Sequence, residues 1–140
     1  KNGQEVHLCG LGWETRKFNN HKYLGQCDFK STQEHMRNSK VLLDSSPFHP
    51  IGLHERFLYG AMSGASVVTD HNMVKSQIFE HKVDAFLYNH ENLDSLGDRI
   101  NDYLSDNSWK DIAFNGQNKV QENHTWKHRT QAVVEAFNLR

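Results

Sequence analysis

Cysteine and proline are scarce here, with two of each in 140 residues. Cys9 and Cys27 lie in or beside strand-like segments and show no metal-ligand spacing. That excludes a cysteine-rich metal site or a disulfide scaffold, and it predicts two free thiols in a reducing, cytoplasmic setting. Pro47 and Pro50 fall in one short stretch, so no proline-rich linker divides the chain. Long apolar runs are also lacking; none approaches the roughly 20 residues of a membrane-spanning helix. Charge of one sign is not in excess. Sixteen Lys and Arg against seventeen Asp and Glu leave a formal net charge of -1, which argues against a nucleic-acid binder relying on a basic face. No Gly-x-Ser-x-Gly elbow and no cysteine nucleophile motif occurs, so covalent acyl transfer has no support.

What is present is an alternation of strand and helix signals. Hydrophobic residues make up 36% and charged residues 24% of the chain, a composition that suits one globular domain over residues 1–140. The organising stretch is Val41 to Asp70. Val41–Leu43 is a short apolar run. Ser45, Ser46, Pro47, Pro50 and Gly52 punctuate the loop after it. From Leu53 the period becomes helical, with Leu53, Phe57 and Ala61 on one face. Gly64 stands where a helix C-cap takes a left-handed residue. Ser66–Thr69 is a second strand suited to burial on both faces. Strand, crossover helix and strand predict two parallel neighbours, and ligands of open α/β sheets bind at the C-terminal strand ends. That loop carries His49, Gly52, His54, Glu55 and Arg56.

Around this unit the reading runs in order. Glu5–Cys9 and His21–Leu24 are strands. Gly10, Gly12 and Trp13 between them form a tight turn in preference to a phosphate loop, because one Gly-x-Gly is weak evidence. Ser31–Asn38 is a short helix with a capping box of Ser31 and Glu34. Met73–Glu80 is a helix and Asp84–Tyr88 a strand. Leu93, Leu96, Ile100, Tyr103 and Leu104 stripe a helix that begins within Asn89–Asp94. Trp109, Ile112, Ala113 and Val120 face inward from the next, which Gly116 weakens. Trp126, Arg129, Val133, Ala136 and Phe137 recur on one side of the last. The fold class is α/β with a mostly parallel sheet.

Ten histidines raise the question of a metal. His124 and His128 are four apart on a helix, but no glutamate base and no third ligand accompany them, so no metal is expected. His54-Glu55-Arg56 is different. Backbone N–H groups of Gly52, Leu53 and His54, with the helix dipole, suit an anion, and the Arg56 fork fits phosphate oxygens. Glu55 suits sugar hydroxyls. An exposed Glu–Arg pair on a helix N-terminus is the plain alternative, and these residues alone admit both.

The segment PFHPIGLHERFLYGAMSGASVVTD resembles the donor-site segment of GT-B fold glycosyltransferases, closest to the spore-maturation-protein branch near family four. The matching features are Val41–Asp44, Pro47, Gly52, Ala61–Gly64 and Ser66–Thr69. His124–Arg129 (HTWKHR) is similar to the start of the last helix in that branch. The resemblance implies a Rossmann-like sheet with helices on both faces, the C-terminal half of a two-domain enzyme. The first strand would precede Lys1, and an N-terminal acceptor domain of the same chain would complete the cleft. It implies transfer of a hexosyl or related sugar from a nucleotide sugar, with UDP the expected nucleotide, to a glycan, lipid or protein acceptor in polysaccharide biosynthesis. The donor is a substrate and no cofactor is expected. The enzyme would be cytoplasmic, peripheral to the inner face of the membrane through its other half. Glu55 and Arg56 would serve catalysis, Gly52, Leu53, His54 and Tyr59 donor binding, and Gln26 and Cys27 the base. Two glutamates common in family four correspond to Ile51 and Tyr59 here. Glu55, one turn before Tyr59, is the candidate to take their place. A non-catalytic interaction or nucleotide-sensing module is the alternative function.

Overall fold

The valine-rich segments pair as parallel strands because β-branched side chains suit a pleat covered on both faces. The computed structural model describes residues 4–48 and 51–138. In it β3 (Val41–Asp44), β4 (Ser66–Asp70) and β5 (Phe86–Tyr88) form a sheet in that order, with Val41 opposite Ser66 and Val68 opposite Phe86. Earlier in the chain, β1 (Val6–Leu8) pairs in parallel with β2 (His21–Tyr23). The chain divides into two compact units, Lys1–His35 and Met36–Arg140.

In the Met36–Arg140 unit every residue of β4 is buried, and its alternation feeds two cores. Val67 points to Phe57 and Ala61 of α2 (Glu55–Met62), with Phe79, Ala85, Leu87 and Val120 of α5 (Trp109–Asn123). Val68 points the other way, to Phe86, Tyr88, Ile112 and to Leu96 and Tyr103 of α4 (Leu96–Ser105). Helices therefore cover both faces of a parallel sheet, a Rossmann-like arrangement. Phe57 is wholly buried, a burial that contributes about 1.5–3 kcal/mol. The Tyr103 hydroxyl bonds that of Ser66. Burial first, opposed by that bond and assisted by Asp106, pushes its pKa up to about 12.

Several boundaries differ from expectation. α1 (Phe29–Arg37) begins two residues before Ser31, because Asp28 Oδ1 accepts the Ser31 N–H at 2.7 Å and caps the helix. The Ser31 hydroxyl and amide hold the Asp28 carboxyl below its ordinary range. α2 starts at Glu55, not Leu53, because His54 is its N-cap. A 3₁₀ segment, His90–Ser95, precedes α4. α3 (Met73–Ile78) is capped by Asn72, whose side chain accepts the Lys75 N–H at 2.8 Å. On α6 (Trp126–Asn138) no described residue is buried, and the apolar stripe of Trp126, Val133 and Phe137 is exposed.

Two glycines have structural reasons. Gly64 sits just past α2 at φ +85°, and its N–H closes on the Ala61 carbonyl at 3.0 Å, as a left-handed C-cap requires. Gly116 is not a defect of α5. A Cβ there would lie 2.5 Å from the Asp84 carbonyl oxygen, so its absence lets α5 approach the chain before β5.

In the Lys1–His35 unit the Gly12 N–H donates to Glu14 Oε2 at 2.8 Å, and the Tyr23 hydroxyl donates to Glu14 Oε1 at 3.1 Å. GLGW is thus a turn closed on its own carboxylate. Cys9 and Cys27 are joined as a disulfide with Cα atoms 6.1 Å apart, which overturns the expectation of two free thiols. Parallel pairing of Leu8 with Tyr23 brings Cys9 and Cys27, eighteen apart in sequence, together. Spacing along the chain does not report such a meeting, and the cysteine argument for a reducing compartment falls with it.

Candidate functional site

β3 and β4 run in parallel and each ends in an aspartate, Asp44 and Asp70. Asp44 is wholly buried. Its Oδ1 accepts from Arg56 Nε at 2.7 Å, and its Oδ2 accepts from Thr69 Oγ1 at 3.1 Å. Lys75, also wholly buried, lies with Nζ 4.0 Å from that Oδ2. Lys75 donates to Thr69 Oγ1 at 2.9 Å, to Asp70 Oδ1 at 3.0 Å and to the Asp70 carbonyl at 3.2 Å. Asp70 Oδ1 accepts the Ser46 N–H as well, at 2.8 Å.

Two carboxylates and two cations thus share the C-terminal edge of the sheet. A buried carboxylate without such partners would cost several kcal/mol. Burial alone would raise the Asp70 pKa. The Ser46 N–H and the hydrogen bond and charge of Lys75 outweigh it, so the carboxyl sits below its ordinary value. Tyr88, at the end of β5, is pushed the other way. Burial raises its hydroxyl, a bond from Ser45 opposes this, and the Asp70 and Asp44 charges add to the rise.

Above this array the chain enters α2. Asn72 Nδ2 donates to the Gly52 carbonyl at 2.9 Å, tying the loop to α3. His54 Nδ1 accepts the Arg56 N–H at 3.1 Å, and the Phe57 N–H meets the His54 carbonyl at 3.0 Å. The first-turn amides are therefore those of Glu55 and Arg56, not those of Gly52, Leu53 and His54. The Arg56 amide already serves the cap. This follows from the imidazole of His54 acting as capping acceptor, a role more usual for Ser, Thr, Asp or Asn. Glu55 is exposed on the first turn, and the Arg56 side chain is 43% exposed while its Asp44 partner is at 0%.

Gly52, Leu53, His54, Glu55 and Arg56 thus form one continuous run pinned at three points, with Tyr59 half-buried one turn further on. Ile51 and Phe48 are exposed beside it. His49 and Pro50 lie outside the described residues. Gln26, exposed, and Cys27, half-buried and held in the disulfide, belong to the Lys1–His35 unit.

Asp44, Thr69, Asp70, Asn72 and Lys75 went unmarked in the sequence reading. A signal existed for the aspartates, since VLLD and SVVTD are apolar strands that each close on one. Lys75 had none, as a lone lysine on a polar helix reads as solvent-facing. HTWKHR serves as a helix junction. Thr125 Oγ1 lies 2.7 Å from His128 Nδ1, which also accepts the Thr125 N–H at 3.3 Å, and Arg129 Nη2 lies 3.3 Å from His124 Nδ1. Among the described residues no three His, Cys, Asp or Glu side chains gather as a metal site, and no helix is long and apolar enough to cross a membrane.

A parallel sheet covered on both faces, with an arginine at the helix entry above its C-terminal edge, is a Rossmann-like arrangement. A family model described as glycosyl transferase-like matches residues 1–135. The chain belongs to this glycosyl transferase-like family. No curated protein matches it significantly. Among solved structures, HepE of Anabaena in complex with UDP is similar at a TM-score of 0.76 and 20% identity, over 87% of this chain and 33% of that one. HepE in complex with UDP-glucose gives a TM-score of 0.73 and 19% identity over the same shares. The C-terminal domain of the glycosyl transferase group 1 family protein LpcC from Francisella tularensis gives 0.65 and 16%, over 76% of this chain and 55% of that one. The fold is thus that of GT-B glycosyltransferase C-terminal domains, and the chain spans about a third of HepE.

Proposed function

We propose that this chain is the nucleotide-sugar-binding half of a two-domain glycosyltransferase that moves a hexosyl or related sugar to a glycan, lipid or protein acceptor. The observation that carries this reading is Arg56, held by buried Asp44 at the first turn of α2 and still part-exposed. A guanidinium at a helix N-terminus suits a diphosphate, and stabilising that leaving group is an electrostatic route to glycosyl transfer. Glu55 beside it would take ribose or sugar hydroxyls. Gly52, Leu53, His54 and Tyr59 would frame the donor, and the resemblance gives Gln26 and Cys27 the base. HepE, similar in fold, is crystallised with UDP and with UDP-glucose, which favours a uridine nucleotide; the donor is proposed as a substrate, with no cofactor beside it.

The finer proposals follow the same resemblance. They are the spore-maturation branch, a role in polysaccharide biosynthesis, an acceptor domain preceding residues 1–140, and a cytoplasmic enzyme at the inner membrane face. The thiol or disulfide state of Cys9 and Cys27 in the native protein tests the setting. The site is tested by titrating UDP into the protein and following amide shifts by NMR. Shifts at Gly52–Arg56 are expected, and their absence at saturating UDP would sink the donor-site reading. Arg56→Ala in the complete enzyme should cut turnover by about tenfold or more, the scale for losing a charge-assisted bond to phosphate.

The second reading, a non-catalytic nucleotide-sensing or interaction module, is favoured by Ile51 and Tyr59 standing where the resembling enzymes carry glutamates. Ile51 is 73% exposed and offers no acceptor to a ribose. Donor hydrolysis or transfer by the complete protein excludes this reading.

A further inference from the structure

We propose that Asp44 is the positioning residue that presents Arg56 to a phosphate-bearing ligand; this rests on the donor-site reading of Gly52–Arg56. An arginine side chain is long and flexible, and it loses rotamer freedom when a ligand first orders it. Asp44 performs that ordering beforehand. Its Oδ1 takes Arg56 Nε at 2.7 Å, and the planar guanidinium leaves its terminal amino groups as the donors for an anion. The carboxylate cannot swing toward Arg56 or away from it, because its other oxygen is held by Thr69 Oγ1 at 3.1 Å.

The second part of the device is charge. Asp44 and Asp70 beneath an anion site would repel a diphosphate if left alone. Lys75, wholly buried, sits 3.0 Å from Asp70 Oδ1 and 4.0 Å from Asp44 Oδ2 and bonds Thr69 between them. With Arg56 the four charges balance. Asp44 therefore orients Arg56 while Lys75 offsets the negative charge it brings.

The test measures UDP and uridine affinity of the whole chain for wild type, Asp44→Asn, Arg56→Ala and the double variant. Asp44→Asn should weaken UDP about tenfold, the scale of one charge-assisted hydrogen bond. It should leave uridine, which lacks phosphate, within about twofold, the limit of ordinary additivity. On the Arg56→Ala background it should cause no further loss of UDP affinity. Equal losses for UDP and uridine, or full additivity in the double variant, overturn the proposal. A wild-type chain that binds no UDP overturns the donor-site reading itself, and the proposal with it. Should Asp44→Asn not fold, the wild type decides by NMR. The Arg56 Nε–H should stay protected from exchange at saturating UDP while the terminal amino signals shift. Loss of that protection overturns the proposal.

Discussion

Lys75 donates to Thr69 and Asp70 and lies near Asp44 while wholly removed from water. Its ammonium is the cation that both buried carboxylates face. Arg56, part-exposed, pairs with Asp44. Lys75→Met should therefore destabilise the chain by about 3–5 kcal/mol, the cost of stripping one partner from a buried ion pair, as read by urea unfolding. A loss below about 1 kcal/mol, typical of a surface pair, would show that water reaches these carboxylates. At this scale the reading of residues was uneven. Arg56 and Glu55 stand out in the sequence because a helix start and polar residues coincide. Lys75 was not, because burial of a lysine depends on two aspartates that the chain brings from 5 and 31 positions away.

Among the elements, α5 shows how a residue's local cost reverses in tertiary context. Glycine inside a helix costs about 1 kcal/mol against alanine by propensity alone. At Gly116 the added methyl would press on the Asp84 carbonyl oxygen at 2.5 Å, a backbone atom between α5 and β5. Gly116→Ala should destabilise the chain by about 1–3 kcal/mol, the range for overpacking, visible as a lower thermal midpoint. A rise in the midpoint would mean that α5 shifts freely. The existence and order of elements were legible from period and turn residues: each of the five strands among the described residues falls within a segment read as a strand, and the order of the helices follows from apolar spacing. Element starts were less so. Asp28 took the cap assigned to Ser31, and His54 capped a helix whose start was read at Leu53; a cap is decided by which side chain reaches the free amides.

Across the whole molecule, stability should fall in two steps as pH drops. Burial first, then Lys82, Arg99 and His71, lower the His81 pKa, and its Nδ1 accepts the Leu87 N–H at 3.0 Å only while unprotonated. Burial first, then Arg129, Lys119 and His128, lower that of His124. Below the ordinary value of 6.5 the unfolded chain takes up these protons first. Their contribution is therefore complete above 6.5 and lost as pH falls through the folded values. Asp70 is held below its ordinary 3.8, so its contribution is complete above 3.8 and lost as pH falls further. Urea unfolding at a series of pH values should show both steps, with the Leu87 amide signal moving in the first. A curve that stays level from 6.5 down to 4 would show that neither histidine is held neutral by the fold.

Residue order alone determined the alternation of strands and helices, the parallel unit around β3 and β4, and the loop that joins β3 to α2. These are local properties, written in apolar periods and turn residues. Only the tertiary structure decided what stands beneath that loop. The Cys9–Cys27 disulfide, the approach at Gly116 and the Asp44–Thr69–Lys75–Asp70 array all join residues from different elements. Parallel crossovers bring distant positions together at strand ends, and hydrophobic periodicity carries no record of which polar side chains then meet.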